Sequence, residues 1–102
     1  MWIIKNRVTG EYERKGMSGK RDKITRSAWS NLGRAKCHVV YGEFDEWFMD
    51  ADFIEMTDEG IGEVVPVIDY LREYYRGNRY APEWVLMRLG LMQDPEKEDH
   101  DA

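Results

Sequence analysis

A chain of 102 residues is the length of one domain, and with 42% hydrophobic and 13% aromatic residues it can fold around a modest core, which excludes a disordered chain. The single cysteine, Cys37, excludes an internal disulfide and a zinc site built on paired thiolates. No run of eighteen apolar residues and no apolar leader is present, so a soluble protein of a reducing compartment is expected, with no membrane contact. The net charge of -5 conceals a division: residues 1–40 hold ten bases and three acids, a balance of +7, and residues 41–102 hold five bases and seventeen acids, a balance of -12. Either one face is set against a charged partner, or the two halves neutralise each other on folding.

The chain opens with Trp2-Ile3-Ile4, which favours a strand, followed by a turn at Val8-Thr9-Gly10 and renewed alternation from Glu11 to Arg14. This predicts a hairpin in which Trp2 and Ile4 share one face, Ile3 takes the other, and Tyr12 packs on the partner strand. With both faces apolar, the first strand is expected to be central or covered. Residues 16–26, GMSGKRDKITR, read as a mobile basic connection. Ser27 then suits the N-cap of a helix in which Trp29, Leu32, Ala35 or Lys36, and Val39 or Val40 recur at helical spacing. Gly42 would end it.

In EFDEWFMDADFIEMT, residues 43–57, aromatics alternate with acids, and Ala51 to Thr57 reads as a strand. DEGIG is a turn, Glu63-Val64-Val65 a short return strand, and Pro66 a start for a helix from Val67 whose stop is Gly77. A second proline-initiated helix is predicted over PEWVLMRLG, where Trp84, Val85, Leu86, Met87 and Leu89 crowd two turns. The fold class expected is α+β: a small antiparallel sheet, made of the N-terminal hairpin and one or two further strands, packed with two or three helices. Residues 1–92 form a single domain in this reading, and 93–102 an acidic disordered tail.

Catalytic and metal chemistry find little support. Cys37 and His38 are adjacent, so on a helix their side chains diverge by roughly 100° and cannot act on each other. Glu43, Asp45, Glu46, Asp50 and Asp52 lack calcium-loop spacing. No phosphate-binding loop, dinucleotide fingerprint, nucleophile elbow or paired-histidine zinc motif occurs. A non-enzymatic protein without cofactor or metal is expected.

Two constellations could bind a partner. The first joins Arg14, Lys15, Lys20, Arg21, Lys23, Arg26 and Arg34 with Trp29, a mixture of cations and a ring suited to nucleic acid or another acidic partner. The second is Phe44, Asp45, Glu46, Trp47, Phe48, Asp50 and Asp52 with Trp84, aromatic anchors rimmed by acids as at many protein interfaces. The same aromatics could instead build the core.

The motifs W-I-I-x-N-x-x-T-G-x-Y at 2–12 and W-x-x-L-G-x-A-K at 29–36, with ADFIEMT followed by VPVIDYL within 51–71, resemble small uncharacterised proteins encoded by tailed bacteriophages or prophages. The resemblance covers scattered pieces of residues 2–72 and carries no catalytic residues. It implies a phage-encoded protein acting in the host bacterial cytoplasm. The leading expectation is a protein that binds a host protein and modulates or inhibits a host process or defence system. The alternatives are a nucleic-acid-binding accessory protein using the basic half and a homo-oligomeric structural protein.

Overall fold

The computed structural model describes residues 1–15, 21–41, 45–76 and 81–91. Its elements are β1 (Trp2–Asn6), α1 (Leu32–Tyr41), a short 3-10 helix (Glu46–Asp50), β2 (Ala51–Thr57), β3 (Gly60–Pro66), α2 (Val67–Tyr75) and α3 (Glu83–Arg88). The three strands form one antiparallel sheet in the order β1-β2-β3, which with the three helices makes a small α+β fold. The chain divides into two compact units, residues 1–68 and 69–102.

In the first unit the pleat sorts side chains into two faces. Ile4, Phe53 and Val65 stand in register across the three strands, and Ile4 and Phe53 are wholly enclosed. Enclosing a ring the size of Phe53 contributes roughly 1.5–3 kcal/mol, so this face anchors the sheet. On the opposite face Ile3, Ile54 and Val64 are in register, and exposure rises outward: Ile3 is buried, Ile54 half-buried and Val64 49% exposed.

β1 is covered on both faces, as its run of apolar residues predicts, but it lies beside the central strand β2 instead of being central itself. The expected opening hairpin is present only in part. Tyr12 meets Lys5 through an isolated bridge, and the long partner of β1 is β2. The turn is built by Asn6, whose Oδ1 accepts the amides of Val8 at 2.8 Å and Thr9 at 3.0 Å while its backbone oxygen accepts that of Gly10 at 2.9 Å. Gly10 has a φ of 77°, a conformation glycine adopts without strain.

Backbone groups of β1 that point away from β2 find other partners. Glu13 N–H donates to Ile4 O at 2.8 Å, and Trp2 and Trp29 exchange both of their backbone hydrogen bonds at 2.8 Å. That exchange explains a correction to the helix predicted from Ser27. Trp29 fits the helical spacing of apolar residues, yet its N–H and C=O belong to Trp2, so the backbone there is extended. α1 begins at Leu32, with Asn31 Oδ1 accepting the Arg34 amide at 2.9 Å as its cap. Ser27 Oγ instead accepts the amide of Lys15 at 2.8 Å.

β2 runs from Ala51 to Thr57 and α2 starts at Val67 directly after Pro66, both as the sequence predicts. β3 is longer than the expected three residues, and a bulge between Ile54 and Met56 shifts its register. In the second unit Leu71 and Tyr75, four residues apart on α2, are buried, as are Val85 and Leu89 of the α3 region. Arg72 Nε donates to Leu89 O at 3.1 Å, and Gly90, with φ of 72°, follows α3. Gly42, Gly77 and the acidic tail 93–102 lie outside the described residues. Among the described residues no helix is long and apolar enough to cross a membrane.

Candidate functional site

The first unit carries two surfaces of opposite character, and a buried ionic network stands behind one of them. Glu13 is 6% exposed, and both of its carboxylate oxygens are used. Oε1 accepts Arg21 Nε and the Arg14 amide, each at 3.1 Å. Oε2 accepts Arg21 Nη2 at 3.3 Å and lies 3.1 Å from His38 Nε2. Burial opposes ionisation of Glu13, but the hydrogen bonds from His38 and Arg21 outweigh it and bring its pKa down to about 2. Glu13 is therefore a carboxylate that can only accept, which places the hydrogen of His38 on Nε2.

Arg21 extends the network to a second segment. Its Nη1 donates to Asp45 Oδ2 at 2.8 Å, and its guanidinium lies 4.1 Å from the centroid of the Trp47 ring and 4.9 Å from that of Phe48. Burial disfavours its charge, yet the bonds to Glu13 and Asp45 prevail and raise its pKa above the usual arginine value. Asp45 also caps the 3-10 helix through the amide of Trp47 at 3.1 Å, and Trp47 Nε1 donates to Glu11 Oε1 at 3.1 Å.

The basic constellation of the sequence is thus divided. Arg21 is turned inward. Arg14 lies 3.9 Å from the Asp22 carboxylate, and Arg26 sits over the Tyr12 ring at 5.9 Å. The segment expected to be a mobile basic connection is held from Arg21 onward: Tyr12 N–H donates to Asp22 O at 2.8 Å, and Asp22 Oδ1 accepts the amides of Ile24 and Thr25. Lys23 and Arg34 form no ion pair among the described residues. Lys20 lies outside the described residues.

Among the described bases of this set only Lys15 and Arg34 reach a common groove, of about 920 Å³, which runs along α1 and is also lined by Trp29, Cys37, His38 and Tyr41. Lys15 Nζ donates to Ala28 O and stands 5.1 Å over the Trp29 ring, and Trp29 in turn lies 4.9 Å from the His38 ring. Trp29 is 5% exposed and Tyr41 76%, so the exposed ring of the groove is the tyrosine. No carboxylate lines this groove among the described residues.

The acidic-aromatic run serves largely within the fold. Phe48 is buried, Trp47 lies beneath Arg21, and Asp50 and Asp52 pair with Arg7 at 4.0 and 2.9 Å. Glu46 is exposed, Phe44 lies outside the described residues, and Trp84, partly exposed, belongs to the second unit. The two halves of the charge division therefore neutralise each other in part, through Arg7 and Arg21.

The second surface is the β2–β3 hairpin, which sequence reasoning did not single out. Among the described residues β3 has no strand on its outer side. Ile61 is 65% exposed beside Val64, with Met56 paired to Ile61 and Ile54 to Val64 on the same face. Glu55, Asp58, Glu59 and Glu63 form no ion pair among the described residues. From Phe53 to Leu71 the sequence contains no lysine or arginine, which is the signal that could have identified this surface. Compared with protein-family models, curated proteins and solved structures, the chain matches none.

Proposed function

We propose that this chain is a small non-enzymatic, phage-encoded protein that binds a host protein in the bacterial cytoplasm and modulates or inhibits a host process, accepting an extended basic segment of that protein along β3. The observation that carries the reading is the open side of β3, a seven-residue strand flanked by exposed apolar side chains and by carboxylates with no ion pair among the described residues. Strand addition draws affinity from main-chain hydrogen bonds and selectivity from side chains that alternate along the added strand. Ile61 and Val64 offer the apolar contact, and Glu55, Asp58, Glu59 and Glu63 favour lysine or arginine in the partner. A second copy pairing β3 against β3 would set carboxylate against carboxylate, which weighs against the homo-oligomeric alternative. The phage origin rests on the resemblance of the opening motifs.

The test compares the tagged protein with a Glu63→Lys, Val64→Lys double variant in host lysate, after circular dichroism shows that both are folded. A host protein retained by the first and lost from the second is the expected result. Equal retention by both, or none by either, would overturn the proposal.

A further inference from the structure

We propose that the groove along α1, independent of β3, binds a phosphate ester of nucleotide size. Its volume of about 920 Å³ is at the upper end of small-molecule pockets. Its charge is one-sided in a protein of net charge -5: Lys15 and Arg34 line it and no carboxylate does, among the described residues. Arg34 is exposed and makes neither a side-chain hydrogen bond nor an ion pair with any described residue, so its planar set of donors is available to phosphate oxygens. Lys15 uses one of its three donors on Ala28 O and is held over Trp29.

The remaining wall supplies what the rest of a nucleotide needs. Glu13 holds His38 through Nε2, so in the neutral imidazole Nδ1 is an acceptor, and it has no hydrogen-bond partner among the described residues. That nitrogen suits an O–H or N–H of a sugar or base. Tyr41, 76% exposed, offers a ring on which a base can stack. Cations together with an acceptor and an exposed ring favour a nucleotide over inorganic phosphate, and the two cations that line the groove among the described residues suit a single phosphate ester better than a long strand, which needs a row of them.

The experiment titrates adenosine 5′-monophosphate, inorganic phosphate and an eight-residue oligothymidylate into the protein, followed by calorimetry. It is repeated on Arg34→Gln and, as a control, on Lys23→Gln, an exposed base that does not line the groove. Saturable binding of the mononucleotide, tighter than that of phosphate, weakened tenfold or more in Arg34→Gln and unchanged in Lys23→Gln is expected. Absence of mononucleotide binding at low salt overturns the proposal. So does equal weakening by both variants, which marks a diffuse charge effect, or binding of the oligonucleotide alone, which marks a nucleic-acid surface.

Discussion

Arg21 grips Glu13 with two arms of its guanidinium, Nε to Oε1 at 3.1 Å and Nη2 to Oε2 at 3.3 Å, and carries Asp45 on the third at 2.8 Å. Through these contacts one side chain ties the segment after the first turn, the cap of the 3-10 helix and, by way of His38, α1. Removing Glu13 leaves Arg21 and His38 each short of an acceptor in a largely buried position. Glu13→Ala is expected to destabilise the protein by about 3 kcal/mol, read as a lower midpoint in urea unfolding. Glu13→Gln, which keeps an acceptor and loses the charge, should be milder. A shift below about 0.5 kcal/mol in the alanine variant would show the pair to be without consequence for folding.

Acid should weaken the protein over a defined window. The pKa of Glu13 falls from the ordinary 4.5 to about 2 on folding, so the unfolded chain takes up this proton first. The associated stability is fully present above about pH 4.5 and is lost as pH falls toward 2. It amounts to about 3 kcal/mol for a difference of this size. Urea midpoints measured between pH 6 and 2 should fall more steeply for the wild type than for Glu13→Gln, and parallel curves would rule out this origin.

Asn6 is the buried polar residue of the opening turn. Its Oδ1 serves the amides of Val8 and Thr9, and its Nδ2 donates to Trp47 O at 2.9 Å. Asn6→Ala strands these partners and should cost about 2 kcal/mol, with faster hydrogen exchange at Val8 and Thr9. Asn6→Asp keeps the acceptor for the turn amides but sets a charged carboxylate oxygen against Trp47 O in a buried site, so its turn amides should stay protected although its stability also falls. Loss of protection at Val8 and Thr9 in the aspartate variant would contradict the assigned roles.

The start of α1 can be tested by its cap. Asn31→Ala should lower stability by about 1 kcal/mol and expose the Arg34 amide to exchange. Ser27→Ala should leave that amide unaffected, since the Ser27 hydroxyl serves Lys15. Exchange at Arg34 that responds to Ser27 instead would move the helix start back toward the earlier residue.

What could be read from the sequence follows from the range over which each signal acts. The strand Ala51–Thr57 and the helix start at Val67 are local: alternation marks the one, and a proline, which has no N–H to donate and closes β3 as its last residue, marks the other. The early helix start at Ser27 failed because Trp29 satisfies helical spacing equally well, and only its exchange of hydrogen bonds with Trp2, 27 residues away, decides against it. The basic constellation met the same limit. Nothing in the neighbourhood of Arg21 distinguishes it from Arg34, yet Glu13 and Asp45 draw the first inward and no described acid meets the second. The acidic β3 hairpin was legible as a stretch without bases, but its importance depends on which side of the sheet is left open, a property of topology.

The reciprocal hydrogen bonds of Trp2 and Trp29 bear on stoichiometry. With the β1 side of the sheet occupied, growth by strand addition can proceed in one direction only, from β3 outward. Under the proposed strand addition, one guest strand would fill the open sheet edge that the described residues offer, leaving none on the β1 side for a further molecule. An assembly formed by the proposed strand addition would then end at one copy of the chain per added strand, the geometry of a cap on a sheet and not of a link in a fibre.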